Sequence, residues 1–307
     1  MTSNSQERVS AAVEPLFVGS PCADWTATTR GLIQQHPLFS RPEELLGAVG
    51  EAWQVLWKTT IGLGELSVPL AELDLPAQVI GEFFETLLAK KLGLLQMWRR
   101  GEGREKDLVY LGAAPRPGLF DFELKVSGQE GGKIFGNRSY AQPNAQGDID
   151  SPGRKDRSGY YLTINFLEKA IYQIRVGWLD ARDWQPQASA TGQMASLKPY
   201  VYEHKLVPMH GHYRLEASVR CLGGVGPKAG QALEQGGLRT IGDVLALLGR
   251  IEMVFDSRQS RVGLRKSLKS AMPDADASFL KALVTALSFP EMAQDATLLL
   301  ASPSIRD

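Results

Sequence analysis

The stretch Phe120-Asp121-Phe122-Glu123-Leu124-Lys125-Val126 alternates apolar and charged side chains with a period of two. That is the period of a half-buried β-strand, because successive side chains leave opposite faces of the pleat. Asp121, Glu123 and Lys125 therefore share one face, and Phe120, Phe122, Leu124 and Val126 share the other. The chain must supply a core against the apolar face and a use for two carboxylates beside an ammonium on the other. On an exposed strand such a set is a solvated ion pair worth about 0–1 kcal/mol. Next to further acids it can hold a divalent cation and polarise a water.

The surroundings of this strand change character twice. Residues 1–75 read as helical segments broken by Pro15, Pro21, Pro37 and Pro42, with the clearest 3.6-residue period over residues 42–57. A second helix is predicted from about Pro76 to Leu95, its apolar side made by Val79, Phe83, Phe84, Leu87, Leu88 and Leu92. Between Asp107 and about Pro208 the pattern is one of strands and turns. Leu108–Leu111 leads into the turn-rich Ala114-Pro115-Arg116-Pro117-Gly118, and residues 160–166 and 171–179 read as a hairpin joined by Leu167–Ala170. From about Glu216 the helical pattern returns. Helices, a β-rich centre and helices again predict an α/β (α+β) architecture divided into residues 1–75, 76–215 and 216–307.

Composition excludes several classes. Lys and Arg number 34 and Asp and Glu 34, so the chain carries no net charge and is not a polycation that coats nucleic acid. The charge is uneven, however: residues 198–269 hold 12 basic against 6 acidic side chains, which fits a restricted DNA-facing surface. Cys22 and Cys221 are too few for a disulfide framework or a Cys-rich zinc site. No apolar run approaches a membrane span, and the N-terminus lacks the basic-then-apolar form of a signal peptide, so a cytoplasmic protein is expected. No G-x-x-x-x-G-K-[ST] loop for a nucleotide cofactor and no G-x-S-x-G elbow occurs. His204, His210 and His212 lack ligand spacing and read as surface or hydrogen-bonded histidines.

The acids upstream of Glu123 are Asp121, Asp107 and Glu105. If Asp107–Leu111 pairs with Leu119–Lys125 about a turn near residues 114–118, Asp107 lands across from Glu123, with Cβ atoms ~5 Å apart. Two carboxylates on neighbouring strands could then share a cation, and Lys125 could orient water and offset phosphate charge. Asp121 is the rival first acid.

Lys106-Asp107-Leu108-Val109-Tyr110 and Asp121-Phe122-Glu123-Leu124-Lys125 resemble the signature of the PD-(D/E)xK nucleases, an Asp opening one strand and acid-x-Lys on the next. Lys106 stands where that superfamily often has Pro. Gly81-Glu82-Phe83-Phe84-Glu85-Thr86-Leu87-Leu88 resembles its upstream helix G-x-x-(F)-E-x-x-L, with Glu85 in the acidic slot and Glu82 one turn earlier as the alternative. Downstream, Leu222-Gly223-Gly224-Val225-Gly226-Pro227-Lys228 resembles the turn of a helix-hairpin-helix, continued by Leu238-Arg239-Thr240-Ile241-Gly242-Asp243. Gly224, Gly226 and Lys228 there would grip backbone phosphate at a helix N-terminus. Base-edge candidates by residue type are Asn137, Arg138, Arg154, Lys155, Arg157, Gln187, Thr191 and Gln193, expected in loops beside the site.

Together the motifs resemble the type II restriction endonucleases, of the ScaI kind. The resemblance implies a restriction-endonuclease-like core with a mixed central sheet flanked by helices and a C-terminal helical region. It also implies Mg²⁺ held by Asp107 and Glu123, a homodimer, and cleavage of both strands of a short palindromic double-stranded DNA site. Two other readings remain from the residues: a structure-selective repair nuclease, and a DNA-binding protein without activity.

Overall fold

A computed structural model of the chain describes residues 22–140, 157–187, 194–251 and 259–289, together with Phe17, Met292 and 294–296. The elements group into two compact units. The first takes in residues 1–127, 133–164 and 174–209, and the second residues 128–132, 165–173 and 210–307.

In the first unit, helices α1 (Cys22–Gln35) and α2 (Pro42–Lys58) precede a small antiparallel ribbon of β1 (Thr60–Ile61) and β2 (Val68–Pro69). The ribbon lies in a region read from sequence as wholly helical; Gly62 and Gly64, both at positive φ, make its turn. Helix α2 starts where Pro42 fixes φ, carries Glu43 and Glu44 in its first turn and Lys58 in its last, and buries Leu45, Val49, Trp53 and Leu56 on one stripe. Helix α3 (Ala77–Gly93) packs beside it, with the Trp53 and Phe84 rings 5.3 Å apart. Its buried stripe is Ile80, Phe84, Leu88 and Leu92, while Val79 and Phe83 are 37% and 40% exposed. The face is thus rotated from the one expected. Gly81 explains the rotation: a Cβ there would stand 3.6 Å from the Val126 Cβ, so α3 lies close on the strand it covers.

The central sheet is mixed and six-stranded. Its strands are β3 (Trp98–Arg100), β4 (Leu108–Tyr110), β5 (Phe122–Gly128), β7 (Gly159–Leu167), β8 (Ala170–Leu179) and β11 (Leu206–Pro208), in the order β11-β8-β7-β5-β4-β3. β6 (Phe135–Asn137), β10 (Met194–Leu197) and β9 (Trp184–Pro186) form a separate three-stranded antiparallel sheet. This sheet went unforeseen, so Asn137 sits on a strand where a loop was expected. Beneath it Ile134, Tyr161, Leu179, Trp184, Leu197 and Val201 form a core. Strand β5 is central, between β7 and β4, and Phe122, Glu123 and Leu124 are all buried. Its alternation suggested one wet face; in fact both faces are covered.

The second unit holds α5 (Pro227–Gln235), α6 (Ile241–Arg250), α7 (Arg261–Ala271) and α8 (Ala277–Leu287) around a core that includes Leu233, Ile241, Leu245, Leu268 and Leu283. The short α4 (Pro199–His204) belongs to the first unit. A buried Arg214 ties the second unit together, donating from Nε to Asp295 Oδ1 at 2.8 Å and from Nη1 to the Tyr172 carbonyl at 2.9 Å. No helix among the described residues is long and apolar enough to cross a membrane.

Candidate active site

Strands β4 and β5 pair antiparallel with Leu108 opposite Phe122, the register that sets Asp107 beside Glu123. The turn between them is built by Pro115, Pro117 and Gly118, the last at φ 73°. Around Lys125 the side chains converge. Its Nζ donates to Glu123 Oε1 at 2.9 Å and to the Leu124 carbonyl at 3.0 Å, and lies 3.7 Å from Asp107 Oδ2. Asp107 Oδ2 in turn accepts from the Leu124 amide at 2.8 Å, which ties the carboxylate to the neighbouring strand. Glu123 is 1% exposed.

A carboxylate this deep is costly unless charge and hydrogen bonds compensate it. Burial alone would lower the Lys125 pKa, but the Glu123 and Asp107 carboxylates outweigh it and raise the pKa, so the side chain is an ammonium. Tyr140 donates to Glu123 Oε1 at 2.6 Å, and Lys125 Nζ lies over its ring, 5.1 Å from the centroid.

Glu85, on α3, borders this group. Burial pushes its carboxyl pKa up and the Asp107 charge pushes the same way, against a hydrogen bond from Arg100 Nε at 2.9 Å. Glu82, the alternative acid, is solvent-facing and reaches Arg100 at 3.5 Å. Asp121 is placed elsewhere: it precedes β5, and its Oδ1 accepts from the Tyr110 amide at 2.9 Å, a hairpin bond. Glu105 forms a two-pronged pair with Arg99 at 2.6 Å for each prong. Lys106, where Pro was the pattern, lies over the Tyr161 ring at 5.5 Å.

The remaining sequence candidates scatter. Asn137 is exposed on β6, and the Gln187 amide donates to the Met194 carbonyl at 3.0 Å. Arg157 is 7% exposed, its Nη1 donating to the Tyr140 carbonyl at 2.8 Å, so as placed it braces the turn instead of reaching outward to a base. Arg138 opens the 3₁₀ turn Arg138–Tyr140, and its side chain lies outside the described residues, as do Arg154, Lys155, Thr191 and Gln193. In the second unit Gly224 (φ 74°), Gly226 and Lys228 are exposed at the start of α5. Gly226 does not offer its amide outward, because that N–H turns back to the Gly224 carbonyl at 3.2 Å. His204 contacts Thr26 at 3.3 Å, and no group of three or more His, Cys, Asp or Glu among the described residues is arranged to hold a metal ion.

Two residues with specific contacts escaped the sequence reading, and one of them, Tyr140, touches the Glu123 carboxylate. Tyr140 lies 17 positions from Glu123, and nothing in its spacing marks it; an aromatic closing a Lys/Asn/Arg-rich segment was its only signal. His36 is fully buried, its Nε2 hydrogen-bonded to the Phe120 carbonyl at 3.0 Å and its Nδ1 accepting from Phe39 N at 3.0 Å.

A mixed sheet flanked by helices, with an acid opening one strand and Glu-x-Lys on the next, defines a restriction-endonuclease-like core. Residues 16–210 match the family model of the ScaI restriction endonuclease, and the chain belongs to that family, as a nuclease that hydrolyses DNA. It is 32% identical over 205 residues to the type II restriction enzyme ScaI of Streptomyces caespitosus, covering 63% of this chain and 84% of that one. Residues 211–307 lie outside the family match.

Proposed function

We propose that the chain is a Mg²⁺-dependent, type II site-specific endonuclease. It would cut both strands of a short palindromic double-stranded DNA site, working as a homodimer whose two-fold axis matches that of the site. The observation that carries this reading is the convergence of Asp107 and Glu123 on Lys125 Nζ, at 3.7 and 2.9 Å.

The donor set suits Mg²⁺. That ion keeps several waters and takes only one or two protein carboxylates alongside substrate phosphate, so Asp107 and Glu123 suffice without a third ligand. Mg²⁺ bound there would supply a polarised water and neutralise charge on the scissile phosphate. The other steps belong to the chain's own groups. Lys125, kept as an ammonium, donates hydrogen bonds that hold the attacking water and offset charge building on the phosphate oxygens. Attack in line forms a bond from the water oxygen to phosphorus and breaks the one to the 3′ oxygen. The water gives up a proton to solvent and the departing oxygen takes one up, leaving a 3′-hydroxyl and a 5′-phosphate end. Glu85, next to Asp107 in charge if not in contact, adds to the negative field that attracts the cation. In the second unit, Lys228 at the exposed start of α5 would hold backbone phosphate without reading sequence.

The test is incubation of the purified protein with a long duplex DNA, with and without Mg²⁺. Discrete fragments that share one terminal sequence, formed only with Mg²⁺, support the reading. Uncut DNA under Mg²⁺ and Mn²⁺ alike would reject it.

A further inference from the structure

Tyr140 touches the site through its hydroxyl and its ring. Its hydroxyl stands 2.6 Å from Glu123 Oε1, and the phenol must donate, since an ionised carboxylate only accepts. Lys125 Nζ donates to the same oxygen at 2.9 Å and sits over the Tyr140 ring. One side chain thus holds the carboxylate by its hydroxyl and the ammonium by its ring face.

Tyr140 is itself well held. Arg157 Nη1 donates to its carbonyl at 2.8 Å, the Arg157 guanidinium lies 5.8 Å from its ring centroid, and the Trp184 ring stands 4.7 Å away. The Tyr161 hydroxyl donates to the Arg157 carbonyl at 2.6 Å, tying this brace to β7. A carboxylate's last torsion is broad, so a buried Glu needs an outside bond to fix which way its oxygens point. Hydrogen bonds of that kind orient metal-binding carboxylates and set their affinity.

We infer that Tyr140 is a positioning residue for Glu123: its hydroxyl fixes the carboxylate in the orientation that takes Mg²⁺, and Arg157 holds Tyr140 in place to do so. The inference rests on the nuclease reading above. Tyr140 is not assigned a part in the bond-breaking step; it acts through Glu123.

Tyr140→Phe removes the hydroxyl and keeps the ring over Lys125. Full-length wild type and variant are titrated with MgCl₂ by calorimetry, and the Mg²⁺ midpoint of duplex cleavage and the thermal melt are recorded beside it. The expected result is a Mg²⁺ dissociation constant and cleavage midpoint raised about 10–100-fold, with the rate recovering toward wild type at saturating Mg²⁺. A midpoint and affinity within twofold of wild type, whatever happens to the melt, would overturn the inference and leave Tyr140 a packing residue. Should Tyr140→Phe not fold, Arg157→Lys, which leaves Tyr140 intact but loosens its brace, must weaken calorimetric Mg²⁺ binding in the same direction, and unchanged binding overturns the inference equally. A wild-type protein that neither binds Mg²⁺ nor cuts DNA would instead remove the nuclease reading itself.

Discussion

Asp107 and Asp121 lie within one hairpin, and their partners separate them. Each accepts from a backbone amide of the opposing strand, Asp121 from Tyr110 and Asp107 from Leu124, but Asp107 also lies 3.7 Å from the Lys125 ammonium. The sequence left this choice open because both acids fit the spacing, and the proximity of Lys125 favours Asp107. Residue chemistry also makes a stability prediction in the second unit. Glu168 turns the β7–β8 hairpin at φ 56°, a conformation that costs a residue with a Cβ ~1–2 kcal/mol. Glu168→Gly should therefore raise stability by about 0.5–1 kcal/mol, after the greater chain entropy of glycine is subtracted, and urea unfolding measures it. A loss of stability would mean that the Glu168 side chain contributes more than its backbone costs.

Elements were legible where their periods were clean. The β4–β5 register could be read because a Pro/Gly-rich turn separates two apolar-periodic runs, and the residues 160–179 hairpin because its connection is short. The rotation of α3 could not, since Val79, Phe83 and Leu87 are as apolar as the Ile80, Phe84 and Leu88 that do the packing; the close approach at Gly81 selects between them. In the sheet of β6, β10 and β9, the β6 strand joins from a segment distant in sequence, and no local pattern announces that pairing.

Around His36 the packing has a consequence for pH. The ring stacks on Phe39 at 3.9 Å and meets Tyr160 edge-on at 4.5 Å, and burial lowers its pKa to about 3. The unfolded chain takes up a proton at His36 below pH ~6.5, while the folded chain does not until about pH 3. Between these values the unfolded state binds more protons, so stability falls as pH falls through that window. Urea unfolding from pH 7 to 4 should show this slope, and His36→Gln should flatten part of it while lowering stability at pH 7. An unchanged slope in the variant would assign the acid sensitivity to other groups. At the start of α6, Thr240 accepts from Asp243 N at 3.1 Å while Asp243 Oδ2 accepts from Thr240 N at 2.8 Å. Breaking this capping box with Thr240→Ala should cost about 1 kcal/mol.

At the scale of the whole molecule, the family match ends at residue 210 and the second unit draws most of its residues from beyond that point. The glycine-proline-lysine segment that opens α5 was legible because those residues agree over a short stretch. The direction of the Gly226 amide was not, because it depends on the local turn. If this unit grips phosphate, Lys228→Glu should weaken binding to unrelated duplexes roughly uniformly and reduce the salt slope by about one ion, leaving the cut sequence unchanged. Fluorescence anisotropy across a salt series measures both, and an unaltered slope would remove the hairpin from the DNA-binding surface. Sedimentation of the free protein tests the homodimer, with a single species at twice the 33.6 kDa chain mass expected.

We propose that Asp107, Glu123 and Lys125 form the hydrolytic centre. It is tested most directly by single-turnover cleavage of a duplex carrying the mapped site, comparing Asp107→Asn, Lys125→Ala and Asp121→Asn at saturating Mg²⁺. The first two should lose at least ~10²–10³-fold in rate while still binding the duplex, the scale on which lost charge stabilisation acts. Asp121→Asn should stay within about tenfold of wild type, since it loses a hairpin bond and not a site group. Cleavage that survives Lys125→Ala, or that is abolished by Asp121→Asn but not by Asp107→Asn, would contradict it.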